Sequence, residues 1–243
     1  MTASLVSIPA RRARSNHAEI ARTIGIDIIA GRHGACARLP GESELMLMFG
    51  VSRPVLRESV KTLVAKGLLT TKSRVGTVVR ERAAWNMFDA DVLAWHLEAG
   101  INRHFLRDLA EIRLAVEPRA AALAAERRGE EHLAAMRASL ARMTREAPDS
   151  VGFAEADLAL HLAVAAASGN PFMRSIGSVV DAALRASFLL SAPLPGPDRD
   201  DVIRTHERIV DAIAAQDSDT AAAALTEAIF NGLRRHGQVD LTG

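Results

Sequence analysis

The sequence predicts a mainly α chain in two parts, an N-terminal winged helix-turn-helix joined to a C-terminal antiparallel helical bundle. Three observations predict it. Residues 41–69, GESELMLMFGVSRPVLRESVKTLVAKGLL, repeat apolar side chains at helical spacing on both sides of a glycine turn. Alanine is abundant, tyrosine is absent and aromatics make up only 4% of the 243 residues, which favours helices over sheets. Charge is divided: residues 1–84 carry 14 basic against 6 acidic side chains, and residues 85–243 carry 16 against 23, although the whole chain sums to +1. The front is suited to a polyanion and the remainder to a different task.

Residues 1–16, with Arg11, Arg12 and Arg14, show no periodicity and read as a flexible arm, equally able to touch phosphates or to have no role. Residues 17–30 form a first helix with Ile20, Ala21, Ile24 and Ile28 on one face and Ser15 or Asn16 as cap. Gly31 and Gly34 end it, and Leu39-Pro40 runs extended because a residue before proline is pushed out of the α region. In the next helix Leu45, Leu47, Met48 and Phe49 supply a buried face, Gly50 makes the turn, and the Ser52 hydroxyl is placed to cap the third helix. That helix buries Val55, Leu56, Val60, Leu63 and Val64 and carries Arg53 and Arg57 four apart near its start, where side chains reach base edges in a major groove. Residues 70–79, TTKSRVGTVV, read as a hairpin with Lys72 and Arg74 at its turn, hence a wing. A plain helical hairpin with solvated arginines explains the helices alone; the wing and the basic balance argue for DNA.

A single cysteine, Cys36, excludes an intrachain disulfide and fits a reducing compartment. No run approaches the ~20 apolar residues of a membrane span, and the arginines of MTASLVSIPARRARS follow a very short apolar stretch, the wrong order for a secretory signal. The expected location is cytoplasmic.

Residues 81–102 read as a linker holding both tryptophans, Trp85 and Trp95, whose indoles suit packing between domains better than ligand binding. Beyond it, six amphipathic segments, 103–127, 130–146, 151–168, 171–191, 199–216 and 218–236, make an all-helical domain over 103–236, followed by a tail, 237–243. No internal repeat is evident, so these pack as a bundle.

Asp157 and His161 lie four apart in FAEADLALHLAV, on one helix face beside Leu158, Leu162 and Ala165. His206 precedes Ile209, Val210 and Ile213 on another helix. A carboxylate and imidazoles aimed into a bundle are costly unless paired or bound to a cation. One carboxylate and two imidazoles suit a divalent ion with open positions, although the spacing by itself fits a local Asp157–His161 hydrogen bond better. Arg113, among Leu109, Ile112 and Val116, is placed to point inward, toward a ligand carboxylate or toward Glu117 one turn on.

Residues 17–80 resemble the winged helix of the GntR family of bacterial transcription regulators, through ARLPGESELMLMFGVSRPVLRESVKTLVAKGLLTTKSRVGTVV. Residues 103–236 resemble the FCD ligand-binding domain of its FadR subfamily, and WNMFDADVLAWHLEAG is similar to the joining segment of galactonate-operon repressors. The resemblance implies a homodimeric repressor of a carbohydrate or sugar-acid operon that binds operator DNA. By it, Ser52, Arg53 and Arg57 contact DNA from the recognition helix, and Lys72, Arg74 and Gly76 lie at the wing. It also makes Asp157, His161 and His206 ligands of a divalent metal, zinc first and nickel, manganese or iron as alternatives. Arg113 and Asn170 then become contacts to a small carboxylate effector, galactonate or a related sugar acid. Two departures stand out. Ser43 occupies a position where many members carry an operator-contacting arginine, and Ala228 matches a position where many FCD domains add a histidine; His236 lies about two turns later and does not replace it. A metal-dependent enzyme built on the same cluster, and a constitutive DNA-binding dimer, are the alternatives.

Overall fold

The computed structural model describes residues 17–147, 150–190 and 196–234 and divides at Met87/Phe88 into two compact units. The expected arm (1–16), with Ser15, Asn16 and its three arginines, the tail (237–243) and His236 lie outside the described residues.

In the first unit, α1 (His17–Ile29) buries Ile20, Ala21, Ile24 and Ile28 against α3 (Arg53–Ala65). Ser59, fully buried on α3, satisfies its hydroxyl by donating to the His17 and Val55 carbonyls, at 2.9 and 3.0 Å. Between them, α2 (Glu42–Phe49) ends at Gly50, whose φ of +62° lets its N–H donate back to the Met46 carbonyl. The expected face of α2 is only partly inward. Leu45 is buried, but Leu47 and Met48 are 85% and 63% exposed, because an eight-residue helix meets α3 along one row of side chains. On α3, Leu56 and Leu63 are the buried members of the predicted stripe, whereas Val64 is exposed. Strands β1 (Leu69–Lys72) and β2 (Gly76–Val79) pair antiparallel, Leu69 opposite Val79 and Lys72 opposite Gly76, forming the predicted wing hairpin.

The second unit begins with α4 (Ala90–Ala99), capped by Asp89, whose carboxylate accepts from the Asp91 and Val92 N–H groups. The segment 81–102 is therefore not a plain linker: residues 81–87 belong to the first unit, and 88–102 carry a helix of the second. Trp85 donates its indole N–H to the Arg80 carbonyl at 3.1 Å within the first unit, and Trp95 is buried on α4. The long α5 (Arg103–Arg127) is central. It packs against α7 (Val151–Ala167), α9 (Gly177–Leu190), α10 (Gly196–Ala214) and α11 (Ser218–Arg234), while α6 (Glu130–Arg145) covers α7 and α10. Its run of buried alanines, Ala120 to Ala125, lets neighbouring helices approach closely around Leu133, Met136, Met143, Leu160, Ile209 and Ile213. The segment expected as one helix over 171–191 is two, α8 (Pro171–Ser175) and α9. At Ile176 ψ is 3°, too far from the helical ψ of about −42° to carry the ladder onward. Among the described residues no helix is long and apolar enough to cross a membrane.

Candidate metal centre and nucleic-acid interface

Helices α5, α7 and α10 bring a chain of buried charged groups together. Asp157 and His161 lie one turn apart on α7, and His206 faces them from α10; their ligand atoms all fall within 4.8 Å of one another. The two imidazoles meet edge-on, with centroids 5.6 Å apart at 79°. His161 and His206 are buried, and the Asp157 side chain is 16% exposed.

The outer nitrogens of both rings are occupied. His161 Nδ1 lies 2.5 Å from Glu117 Oε2, and His206 Nδ1 lies 2.7 Å from the Val202 carbonyl oxygen. Since both partners are acceptors, each Nδ1 carries the proton and donates it. That turns both Nε2 atoms toward Asp157 Oδ1, at 3.5 Å from His161 and 3.0 Å from His206. Asp157 Oδ1 and His206 Nε2 are both buried without a hydrogen-bond partner. Acceptors converging in a dry interior repel unless a cation sits among them, so the donor set fits a divalent metal.

The groups around the cluster show the same need for positive charge. Burial alone would lower the His161 imidazole, but the carboxylates of Glu117 and Asp157 outweigh it and raise it to about 9. Burial alone would raise Asp157, yet His206 and His161 hold it well below the usual carboxylate range. Glu117 is likewise pushed up by burial and drawn down more strongly, to about 2, by Arg113 and His161. A proton held on His161 fills the place that a metal would take.

Sequence reasoning paired Glu117 only with Arg113. In the structure Arg113 Nε donates to Glu117 Oε1 at 2.5 Å while the other carboxylate oxygen holds His161, so Glu117 joins Arg113 to the cluster. The available signal was its place one turn after Arg113 on a helix whose next turns are alanine. Arg113 is buried as expected, with Leu109 and Ala110, whereas Ile112 is exposed. Asn170 is set apart from the cluster by its own job: its side-chain oxygen accepts from the Phe172 N–H at 3.0 Å and caps α8. A small, mostly apolar cavity opens on the Glu117 side of His161, against Leu162, Met173, Ile176, Val180 and Leu225. Ala228 is buried on α11 and contributes no donor.

In the first unit Ser52, Arg53 and Arg57 are exposed at the start of α3, and Lys72, Arg74 and Gly76 are exposed at the hairpin turn. Ser52 occupies the N-cap position, but its hydroxyl makes no cap bond. Pro54 removes the N–H at the second helical position, one of the two donors such a hydroxyl uses. Arg53 Nε lies 3.2 Å from Glu42 Oε1 at the start of α2, a partner that sequence reasoning missed.

A basic winged helix followed by a separate helical bundle with buried metal-type donors describes a two-domain DNA-binding regulator. Residues 16–79 match the bacterial regulatory proteins of the gntR family and residues 108–231 match the FCD domain, so the chain belongs to the GntR family, with the FadR-like architecture. It is similar to the galactonate operon transcriptional repressor of Escherichia coli, 33% identical over 213 residues that span 88% of this chain and 93% of the relative. The HTH-type transcriptional repressor NanR of Salmonella newport is 29% identical over 204 residues, 79% of this chain and 74% of NanR. Among solved structures Lar, which controls expression of the Listeria monocytogenes agr system, superposes with a TM-score of 0.65 at 17% identity, covering 92% of this chain and 97% of Lar; that likeness shows the fold. The chain is a transcriptional regulator and not an enzyme, as its family and relatives are.

Proposed function

We propose that this regulator is a homodimeric repressor of a sugar-acid catabolic operon, released from DNA when a small carboxylate such as galactonate binds beside a metal in the helical bundle. The observation that carries the effector half is the convergence of Asp157, His161 and His206, with Asp157 Oδ1 and His206 Nε2 buried and unpaired. Two imidazoles and one carboxylate suit zinc best among divalent ions, with nickel, manganese or iron as alternatives, and three protein ligands leave positions for effector oxygens. A metal held there supplies a Lewis-acidic contact for the effector's carboxylate. Glu117 fixes the His161 ring, and the Val202 carbonyl fixes that of His206. The Arg113 guanidinium has donors beyond the Nε that Glu117 uses, and these suit the effector carboxylate; the Asn170 amide N–H₂ is the further candidate, its oxygen being the capping atom.

On the DNA side, Arg53 and Arg57 read base edges, Ser52 meets the backbone at the helix start, and Lys72 and Arg74 meet phosphates beside Gly76 at the wing. Two recognition helices in a dimer must match half-sites about one helical turn of DNA apart, so a small change in their spacing releases the operator.

The test is binding of the purified protein to DNA from its own upstream region, with and without galactonate, in zinc-replete and chelated samples. Loss of binding on adding galactonate, abolished by chelation, is the expected result. DNA affinity that stays constant across a panel of sugar acids and other carboxylates overturns the effector half. Absence of DNA binding overturns the whole reading.

A further inference from the structure

The wing has a third edge that the hairpin pattern did not predict. Residues 36–39 run along the free side of β2: Cys36 N–H donates to the Val79 carbonyl, Val79 N–H to the Ala37 carbonyl and Leu39 N–H to the Thr77 carbonyl, at 2.9–3.0 Å, and Arg38 bridges Val78. Leu39 turns into the core, which leaves Arg38 exposed on the opposite face. Its guanidinium lies over Gly76. A Cβ built at Gly76 would stand 3.1 Å from Arg38 Nε and 3.4 Å from Nη2, so the lack of a side chain there, at φ +102°, is what seats the arginine.

This places Arg38 at the turn end of the wing. Lys72 pairs with Gly76 across the ladder, and Arg74 follows in the turn. Among the described residues no carboxylate forms an ion pair with Arg38, Lys72 or Arg74. Three cations gathered at one end of a small sheet without an acid repel one another, an arrangement suited to an external anion. The planar fork of an arginine, held flat by its seat, fits a phosphate's oxygens in a way that a freely rotating surface lysine does not.

We propose that Arg38 is a DNA phosphate-contacting residue that, with Lys72, grips the backbone from the two sides of β2. Gly76 is thereby the seat for that grip. The proposal rests on residues 17–80 binding DNA. As a phosphate contact, Arg38 adds affinity without sequence preference.

The test measures affinity against salt for a duplex from the protein's own upstream region and for a scrambled duplex of equal length, with the full chain. Arg38→Ala removes the side chain, Arg38→Gln keeps a polar stem over Gly76 without the charge, and Arg38→Lys keeps the charge. The expected result is that Ala and Gln lower affinity for both duplexes by the same factor and flatten the salt slope by about 0.9, one released counterion, while Lys retains the slope. Arg38→Gln with the wild-type slope overturns the proposal, as does a loss confined to the upstream duplex. A wild-type chain that binds neither duplex overturns the DNA reading itself, so the two failures are distinct.

Discussion

Glu117 on α5 and His161 on α7, 44 residues apart, share a 2.5 Å contact between Oε2 and Nδ1, and the other carboxylate oxygen holds Arg113 Nε at the same distance. One buried carboxylate therefore sets the orientation of one candidate metal ligand and neutralises a buried guanidinium. Carboxylates behind metal-bound histidines typically change metal affinity by about 10–100-fold when removed. Glu117→Gln should weaken zinc binding by that order, read by competition with a chromophoric chelator. Unchanged zinc affinity would refute the assigned role. Glu117→Ala should also destabilise the metal-free fold by about 3–5 kcal/mol, since it strands Arg113 in the interior.

The same contact predicts a pH dependence. His161 is raised to about 9 in the folded protein, against an ordinary value of about 6.5. Its contribution to stability is then complete below pH ~6.5 and disappears as pH rises through about 9. Glu117, lowered to about 2, has the opposite sign: its contribution is present above pH ~4.5 and is lost as pH falls through about 2. Urea midpoints of the chelated protein should therefore fall between pH 6.5 and 9.5. Zinc must displace the His161 proton, so its affinity should tighten about tenfold per pH unit up to about 9. Midpoints that hold level over that range, with pH-independent zinc affinity, would show that His161 carries no such proton.

What could be read in the sequence was what repeats locally. The glycine turn, the β-branched hairpin and the 3.6-residue stripes are short-range patterns, and Gly50, the wing strands and α5 lie where those patterns put them. Asp157 and His161 were visible because one turn of helix separates them. What escaped depends on long-range packing or on competition between local preferences. No spacing rule ties Glu117 to His161, or Arg38 to Gly76, because those meetings are set by how helices and strands pack. Leu47 and Met48 look like core by composition, yet a two-turn helix has too little buried face for them. Ser52 has the residue type of a cap, and Pro54 removes one of the donors it would have met.

The Glu42–Arg53 pair predicts a trade between affinity and discrimination. Both side chains are largely exposed, so the pair contributes only about 0–1 kcal/mol to stability and the melting temperature of Glu42→Gln should match wild type. Its effect should appear on DNA. Arg53 stands at the start of α3, where the helix dipole disfavours a cation and the first turn has no acid of its own; Glu42 supplies one and restrains the guanidinium. Glu42→Gln should bind scrambled DNA more tightly, having lost a negative charge near the phosphates, and should narrow the preference for the upstream duplex. Arg53→Ala should cost about 1–3 kcal/mol on the upstream duplex and little on scrambled DNA. Equal losses on both for Arg53→Ala would assign it to phosphate instead.

The end of α5 anchors the two helices that carry the candidate ligands. Arg127 Nη1 donates to the Ser168 carbonyl at 3.0 Å, closing the C-terminus of α7, and Arg128 Nη2 donates to the Ala214 carbonyl at 2.7 Å, closing that of α10. Last-turn carbonyls have no partner within their own helix, and a cation there also opposes the negative end of the helix dipole. Arg128 is the more telling of the two, because its Nε also lies 3.4 Å from the Ile213 carbonyl and one side chain serves two acceptors. Hydrogen bonds from charged donors contribute about 1.5–3 kcal/mol each when buried, and less where water can replace them. Arg128→Ala should therefore lower the unfolding free energy by about 1–3 kcal/mol in urea titrations followed by circular dichroism. Arg128→Lys should recover only part of it, since a single ammonium does not reproduce the fork that spans both carbonyls. A wild-type midpoint for Arg128→Ala would mean that solvent serves those carbonyls equally well, and that α10 is held in place by Ile209 and Ile213 alone.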